Sequence, residues 1–277
     1  MLGGYLAIHE GLPIGDIQAF IQYVRNFSQP ITQTAQIMNV MQSTAAAAER
    51  VFEFLDETEQ EPERENLVSI RDENGDIAVK GDVRFDHVRF GYNPDQIVIH
   101  DFSADIKAGS QIAIVGPTGA GKTTIVKLLM RFYELNSGDI YVDGINTKDI
   151  SRHELRDCFG MVLQDAWLHS GTIMENIRYG KPDATDEEVI QAADNAYVDH
   201  FIRTLEHGYQ TEINEESTNV SQGQKQLLTI ARAFLSDPKI LILDEATSSV
   251  DTRTEILIQK GMANLMKGRT SFVIAHR

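Results

Sequence analysis

The sequence predicts an α/β domain built on a parallel sheet with one long helix ahead of it. Three observations carry this. A glycine-rich loop, Gly116–Thr124, lies between an apolar strand pattern and a helical one. A second apolar run, Ile240–Leu243, ends in Asp244 and Glu245. Charge falls in three blocks: residues 1–48 carry only Glu10, Asp16 and Arg25, residues 49–78 carry eleven acids against three bases, and the remainder is mixed. With 277 residues, 42% hydrophobic and 24% charged, the chain can bury a core of one large or two modest domains. Its 41 acids against 25 bases, a net of −16, argue against a nucleic-acid clamp, which needs a basic face. The single cysteine, Cys158, excludes an intrachain disulfide framework and a multi-cysteine zinc site.

Residues 1–8 read as the end of an apolar helix, without the basic n-region of a secretory signal. A turn over His9–Gly15 follows, and Pro13 suits the first turn of the next helix. Ile17, Phe20, Ile21, Val24, Phe27, Ile31, Ala35, Met38 and Met41 then recur at three- and four-residue intervals. Gln18, Gln22, Arg25, Gln29, Gln33 and Gln36 run along the opposite face. The bland reading is a surface helix of a soluble bundle, because no run of about 18 purely apolar residues exists here. The sharper one is a membrane helix whose amide face lines an aqueous path, because a soluble helix normally keeps Lys and Glu on its wet side. Pro30 should bend this helix without ending it, and the pattern continues to Leu55. Asp56–Glu65 reads as a solvated, charged linker.

The strongest signal is G-P-T-G-A-G-K-T-T at Gly116–Thr124, between the strand pattern Gln111–Val115 and the helical Ile125–Tyr133. This is the strand–loop–helix context of a phosphate-binding loop. Its glycines let successive backbone N–H groups converge on phosphate oxygens, and the following helix aims its positive end at the same charge. Lys122 would reach the terminal phosphates and Thr123 would ligate Mg²⁺. Asp244, at the carboxyl end of a buried strand, belongs beside that loop and would hold the metal through water. Glu245 could orient or deprotonate an attacking water. Ser221–Gln224 opens a helical stretch to Leu235, readable either as a capped helix start or as a second anion site. Gln164, His276 and Tyr92 are individually uninformative.

Together these elements resemble the nucleotide-binding domain of an ATP-binding cassette transporter of the exporter type. The order matches: an aromatic A-loop at Tyr92, Walker A at Gly116–Thr124, a Q-loop at Gln164, and a signature V-S-Q-G-Q at Val220–Gln224. Walker B at Ile240–Asp244, then Glu245, a D-loop at Ser248–Asp251 and a switch His276 complete it. The resemblance covers residues 82–277 and implies an α/β P-loop NTPase core with a β-rich subdomain and an inserted helical subdomain at about 150–225. Residues 1–56 are similar to the end of the fifth and the whole sixth transmembrane helix of that family, and 57–81 to an acidic linker and the domain's start. The resemblance thus places a long transmembrane helix ahead of the ATPase.

The resemblance also implies roles. Tyr92 would stack on adenine, and Gly116, Pro117, Thr118, Gly119, Ala120, Gly121, Lys122, Thr123 and Thr124 would hold the triphosphate of ATP. Thr123, Gln164 and Asp244 would stand at Mg²⁺, Glu245 would act on water, and His276 would contact the γ-phosphate. Ser221, Gly223 and Gln224 would cover ATP held by an opposite subunit, with Asp251 nearby. The stretch Gly171–Gly180 resembles the surface that meets the membrane domain's coupling helices. Implied partners are a second exporter subunit, membrane lipid and a transported small molecule, peptide or lipid, with no nucleic acid. The implied location is the cell membrane, multi-pass in a longer protein, with the ATPase on the cytoplasmic side. Two departures stand out: Gln222 replaces the usual signature glycine, and the preceding Glu215–Asn219 lacks glycines. Both are similar to one subunit of heterodimeric exporters with one degenerate site. The rivals are a soluble importer ATPase, a P-loop kinase and a nucleic-acid-linked cassette protein.

Overall fold

The computed structural model describes residues 5, 9, 13–93, 95–117, 119–163, 166–214, 219–244 and 250–275. The chain divides into two compact units, 1–62 and 63–277. The first carries α1, Ile14–Leu55, whose 42 residues make about 63 Å at ~1.5 Å per residue. Of the turn read over His9–Gly15, His9 is helical and α1 already begins at Ile14, while residues 10–12 lie outside the described residues. Pro13 caps the helix from outside, and Pro30 lies within it without ending it. Phe20, Val24, Phe27, Ile31 and Met38 all stand exposed along it. The expectation of a transmembrane helix needs correcting on hydropathy. Among the described residues, no helix is long and apolar enough to cross a membrane. In α1 the length suffices, but the glutamine ladder interrupts every apolar stretch.

The second unit begins with a segment expected to be solvated and found partly strapped down. The Glu63 carboxylate accepts from the backbone N–H of Arg152 at 2.6 Å, Arg64 pairs with Asp149, and Arg71 with Asp157. Glu154 accepts from Ser69 and from the Ile70 N–H at 3.0 Å. An antiparallel sheet follows, formed by β1 (Val83–Phe90), β2 (Ile99–Ile106), β4 (Ser137–Val142) and β5 (Ile145–Asn146) in the order β2-β1-β4-β5. The parallel sheet comprises β3 (Gln111–Ile114), β6 (Phe159–Val162), β9 (Ile240–Asp244) and β10 (Thr270–Ile274), in the order β3-β10-β9-β6.

Helices cover both faces of that parallel sheet, which is why the aliphatic run of β9 is buried throughout. Leu241 and Leu243 pack with α5 (Asp186–Asn195), α7 (Gln222–Ser236) and α8 (Thr252–Leu265). Ile242 and Ile274 pack on Val126 and Met130 of α2 (Lys122–Leu129) and the residue following it. Ile240 and Phe272 join the core of the antiparallel sheet with Phe85, Leu128 and Val142. The region around 150–225 opens with α3 (Arg152–Asp157) and β6, then leaves the sheet through α4 (Ile173–Arg178), α5 and α6 (Asp199–Thr204). A short antiparallel ribbon, β7 (Gly171–Thr172) with β8 (Glu212–Ile213), closes it.

Candidate functional site

All four strands of the parallel sheet end at one edge. Ile274 aligns with Ile114 on one side and with Asp244 on the other, and Val162 aligns with Leu243. The loop after β3, the carboxylate of Asp244 and the chain leaving β6 and β10 therefore emerge together, as ligand sites of parallel sheets do. One detail differs from expectation. β10 lies between β3 and β9, so Asp244 stands two strands from the loop, about 10 Å at ~4.8 Å per strand. Thr118, Gln164, Glu245 and His276 lie outside the described residues.

The loop itself is built as a cradle. Gly116, Gly119 and Gly121 have φ of +155°, +83° and +89°. Ala120 closes a turn by donating its N–H to the Pro117 carbonyl at 3.1 Å. Gly121 ends the loop in the left-handed region, and a Cβ there would lie 2.7 Å from Ile99 Cδ1. Only glycine fits both constraints. As N-cap of α2 it also supplies no side-chain hydrogen bond, so the first-turn N–H groups are not taken by a capping side chain. Lys122 arches back over the loop, donating to the carbonyls of Gly116 at 2.7 Å and Pro117 at 3.1 Å. Thr123 follows on the exposed side, and Thr124 is buried.

Sequence reasoning missed the surroundings of Tyr92. The helix expected to run through Tyr133 stops at Leu129, and Arg131 (φ +54°) reverses the chain. Tyr133 is thereby brought beside Tyr92, with ring centroids 5.1 Å apart, and Phe90 completes the group. The Tyr92 and Thr124 hydroxyls meet at 3.1 Å. A pair of aromatics just past the helix was the available signal, but the positive φ that aims them was not.

The signature segment is a closed capping box. Ser221 Oγ accepts from the Gln224 N–H at 3.3 Å, and Gln224 Oε1 accepts from the Ser221 N–H at 2.8 Å. Gly223 is buried, and a Cβ there would lie 2.5 Å from Thr254 Cγ2 and 2.7 Å from Val250 Cγ1. Its smallness thus serves the packing of α7 on the start of α8. Gln222 is exposed. Asp251 caps α8, accepting from the N–H groups of Arg253 and Thr254 at 3.1 and 3.0 Å, and hydrogen bonds from Thr254 hold its carboxyl below its usual value.

Beyond β6, the rings of exposed Trp167, half-buried His169 and exposed Tyr179 form a cluster around Gly171–Gly180. Arg232 of α7 fixes it from below, donating to the Asn176 carbonyl at 2.9 Å and lying 5.1 Å from the Tyr179 ring centroid. Burial pushes the Cys158 thiol up to about 12, with help from Asp157, so it is no nucleophile here.

These residues fit a triphosphate. The cradle offers backbone N–H groups and an ammonium, and Asp244 stands across one strand. Among the described residues no group of three or more His, Cys, Asp or Glu could hold a metal ion. The Asp244 carboxylate and the exposed Thr123 hydroxyl are oxygen donors of the kind Mg²⁺ takes, one or two protein groups together with phosphates and water.

The family profile described as ABC transporter matches residues 99–248. A fatty acid ABC transporter ATP-binding/permease protein of Mycobacterium bovis is 54% identical over 275 residues, 99% of this chain and 42% of that protein. The Bacillus subtilis ABC transporter ATP-binding protein YfiC, itself uncharacterized, is 48% identical over 100% of this chain and 45% of its own length. Among solved structures, a bacterial Atm1-family ABC exporter with ATP bound matches with a TM-score of 0.70 and 36% identity. That match covers 96% of this chain and 46% of the exporter chain. The chain spans less than half the length of these relatives.

Proposed function

The chain belongs to the ABC transporter family, and from that premise we propose that it carries the ATP-hydrolysing part of a membrane exporter. One observation carries the reading: the uncapped start of α2, with Lys122 arched over its loop, opens at the sheet edge where Asp244 ends β9. In this reading residues 82–277 form the nucleotide-binding domain, 57–81 the connector, and 1–56 part of the permease region. The apolar face of α1 would meet other helices there. The M. bovis relative's name, ATP-binding/permease, and the likeness to a solved exporter favour export over a soluble importer subunit or a kinase.

Tyr92 stacks on adenine, and Gly116–Thr124 hold the triphosphate. Thr123, Gln164 and Asp244 stand at Mg²⁺, which when bound neutralises charge on the terminal phosphates. Glu245 orients or deprotonates the attacking water, and His276 contacts the γ-phosphate. Ser221, Gly223 and Gln224, with Asp251 nearby, cover ATP on a second subunit. Gln222 adds bulk at a helix start where an anion approaches best without a side chain, which favours a heterodimer with unequal sites. The M. bovis relative's name makes a fatty acid the first cargo to test.

The test is vanadate trapping of nucleotide, counted site by site in the full-length complex with its partner. Unequal trapping is expected, and Glu245→Gln should cut turnover at its own site by ~10²–10⁴-fold while ATP binding persists. Wild-type turnover in that variant removes Glu245 from its role, and equal trapping in both sites refutes the heterodimer.

A further inference from the structure

We propose that Tyr133 is a positioning residue for nucleotide binding: it holds the Tyr92 ring in the orientation that receives a purine. The proposal rests on the reading that Tyr92 stacks on the base, and it adds why that ring is ready to do so. Tyr92 follows the end of β1 and is 47% exposed. A half-exposed aromatic on a loop ordinarily turns among several rotamers, and freezing it on binding costs affinity. Here three contacts have already fixed it. Phe90 meets it edge-to-face at 5.0 Å and 83°, Tyr133 does so at 5.1 Å and 87°, and its hydroxyl meets Thr124 Oγ1 at 3.1 Å. Both ring pairs lie within the favourable range for T-shaped aromatics.

The three contacts are not equivalent. Phe90 is a core residue, 4% exposed, so its place is set by the fold. Thr124 belongs to the phosphate loop's own helix. Tyr133 is 40% exposed, and the backbone around it has been tied specifically to the strand end that carries Tyr92. The Asn136 N–H donates to the Arg89 carbonyl at 3.1 Å, and Asn136 Oδ1 accepts from the Gly91 N–H at 2.7 Å. The Phe132 N–H donates to the Lys127 carbonyl at 2.9 Å, and Lys127 Nζ lies 6.0 Å from the Tyr133 ring centroid. One short helix, α2, thus carries the phosphate-facing Lys122 at its start and the support of the base-facing ring just past its end. A fixed spacing between phosphate and base follows from that rigidity.

A purely structural aromatic covering Phe90 would predict something different, and ligands with and without a base separate the two. We would titrate the full chain with MgATP, MgGTP and inorganic tripolyphosphate, in wild type, Tyr133→Ala, Tyr133→Leu, Tyr133→Phe, Tyr92→Ala and the Tyr92→Ala/Tyr133→Ala pair. Expected for Tyr133→Ala and Tyr133→Leu is a loss of about 2- to 10-fold for both nucleotides, the scale of one aromatic contact. Tripolyphosphate affinity should not move, Tyr133→Phe should restore the nucleotides, and Tyr133→Ala should add nothing once Tyr92 is gone. Equal losses for tripolyphosphate and ATP, an undiminished loss without Tyr92, or wild-type ATP affinity in both Tyr133→Ala and Tyr133→Leu would each overturn the proposal. Wild-type affinity in Tyr92→Ala would refute the stacking reading itself, whereas a weak Tyr92→Ala beside a normal Tyr133→Ala refutes only the role of Tyr133.

Discussion

Two helices, α2 and α7, begin at glycine-containing segments that the sequence offers as anion sites, and they begin in opposite ways. Gly121 caps α2 in the left-handed region with no side-chain hydrogen bond. Ser221 and Gln224 close the start of α7 on each other. A helix start exposes unpaired N–H groups and a partial positive charge. At α2 those donors are left for a ligand, and a lysine is added. At α7 a side chain already takes one of them, so an anion there needs further groups from elsewhere. In the proposed reading the first start holds the nucleotide of its own chain, and the second would cover one held by another subunit. The choice of Gln224 matters for that second start. The boxes of α4 and α5 close with Glu175 and Glu188, but a carboxylate at the start of α7 would repel a phosphate, and a neutral amide does not.

The largest test of this contrast is Gly121→Ala. The added Cβ meets a left-handed backbone and the wall formed by Val98 and Ile99; the strain and the overpacking together should cost roughly 2–4 kcal/mol. Urea unfolding reads the stability, and nucleotide titration should show ATP binding lost in the fraction that folds. Full stability with full ATP affinity would mean that the loop tolerates a side chain at its most constrained point, and the open-start account would fail.

A smaller effect is expected at the other helix. Ser221→Ala removes the cap and should cost ~1 kcal/mol. Ser221→Asp restores a capping oxygen, so urea midpoints should recover, yet it places a negative charge where the second subunit's nucleotide would sit. ATP-driven dimerisation should therefore stay weak in Ser221→Asp, as followed by light scattering with the partner subunit. Recovery of both stability and dimerisation would show that Ser221 serves the helix and nothing more.

What could be read from the chain was local. The α2 and β9 signals combine short-range periodicity with a glycine pattern, and α1 was legible from Ile17 to Leu55 because a helix repeats. Ser221 was legible as a cap because a serine just before a helical run is a local code, though the box it closes with Gln224 was not read. The rest depends on what lies across space. Chain order cannot tell that β10 enters between β3 and β9, and Gly223 is small because of Val250 and Thr254, which come much later. Glu63 sits in a run of acids that reads as solvated, yet Arg152 claims it. Tyr133 turns on one positive φ at Arg131. In α1, residue periodicity gave the helix but not its setting, since the apolar face and the amide face share every turn.

The smallest expected effect is a pH dependence that comes from capping acids and to which the box of α7 adds nothing. Glu175, Glu188 and Asp251 all sit at helix starts with their carboxyls held below their ordinary values. For Glu175 the first cause is the Thr172 N–H, for Glu188 the Thr185 N–H, and for Asp251 hydrogen bonding from Thr254. A folded value below the unfolded one, about 4 for such acids, means that the stabilisation is fully present above that pH. It is lost as pH falls through the lowered folded values, because the unfolded chain then binds protons more readily. Urea midpoints should accordingly drop between about pH 5 and pH 3, and the Glu175→Gln/Glu188→Gln pair should flatten part of that slope. The box of α7 contributes nothing to it, because Gln224 does not titrate. Converting it, Gln224→Glu, should steepen the slope, since a further capping carboxylate would then be held by a backbone N–H group. A slope that is unchanged in all these variants would show that the capping acids gain nothing from their charge, and the distinction between Gln224 and its two glutamate counterparts would lose its electrostatic basis.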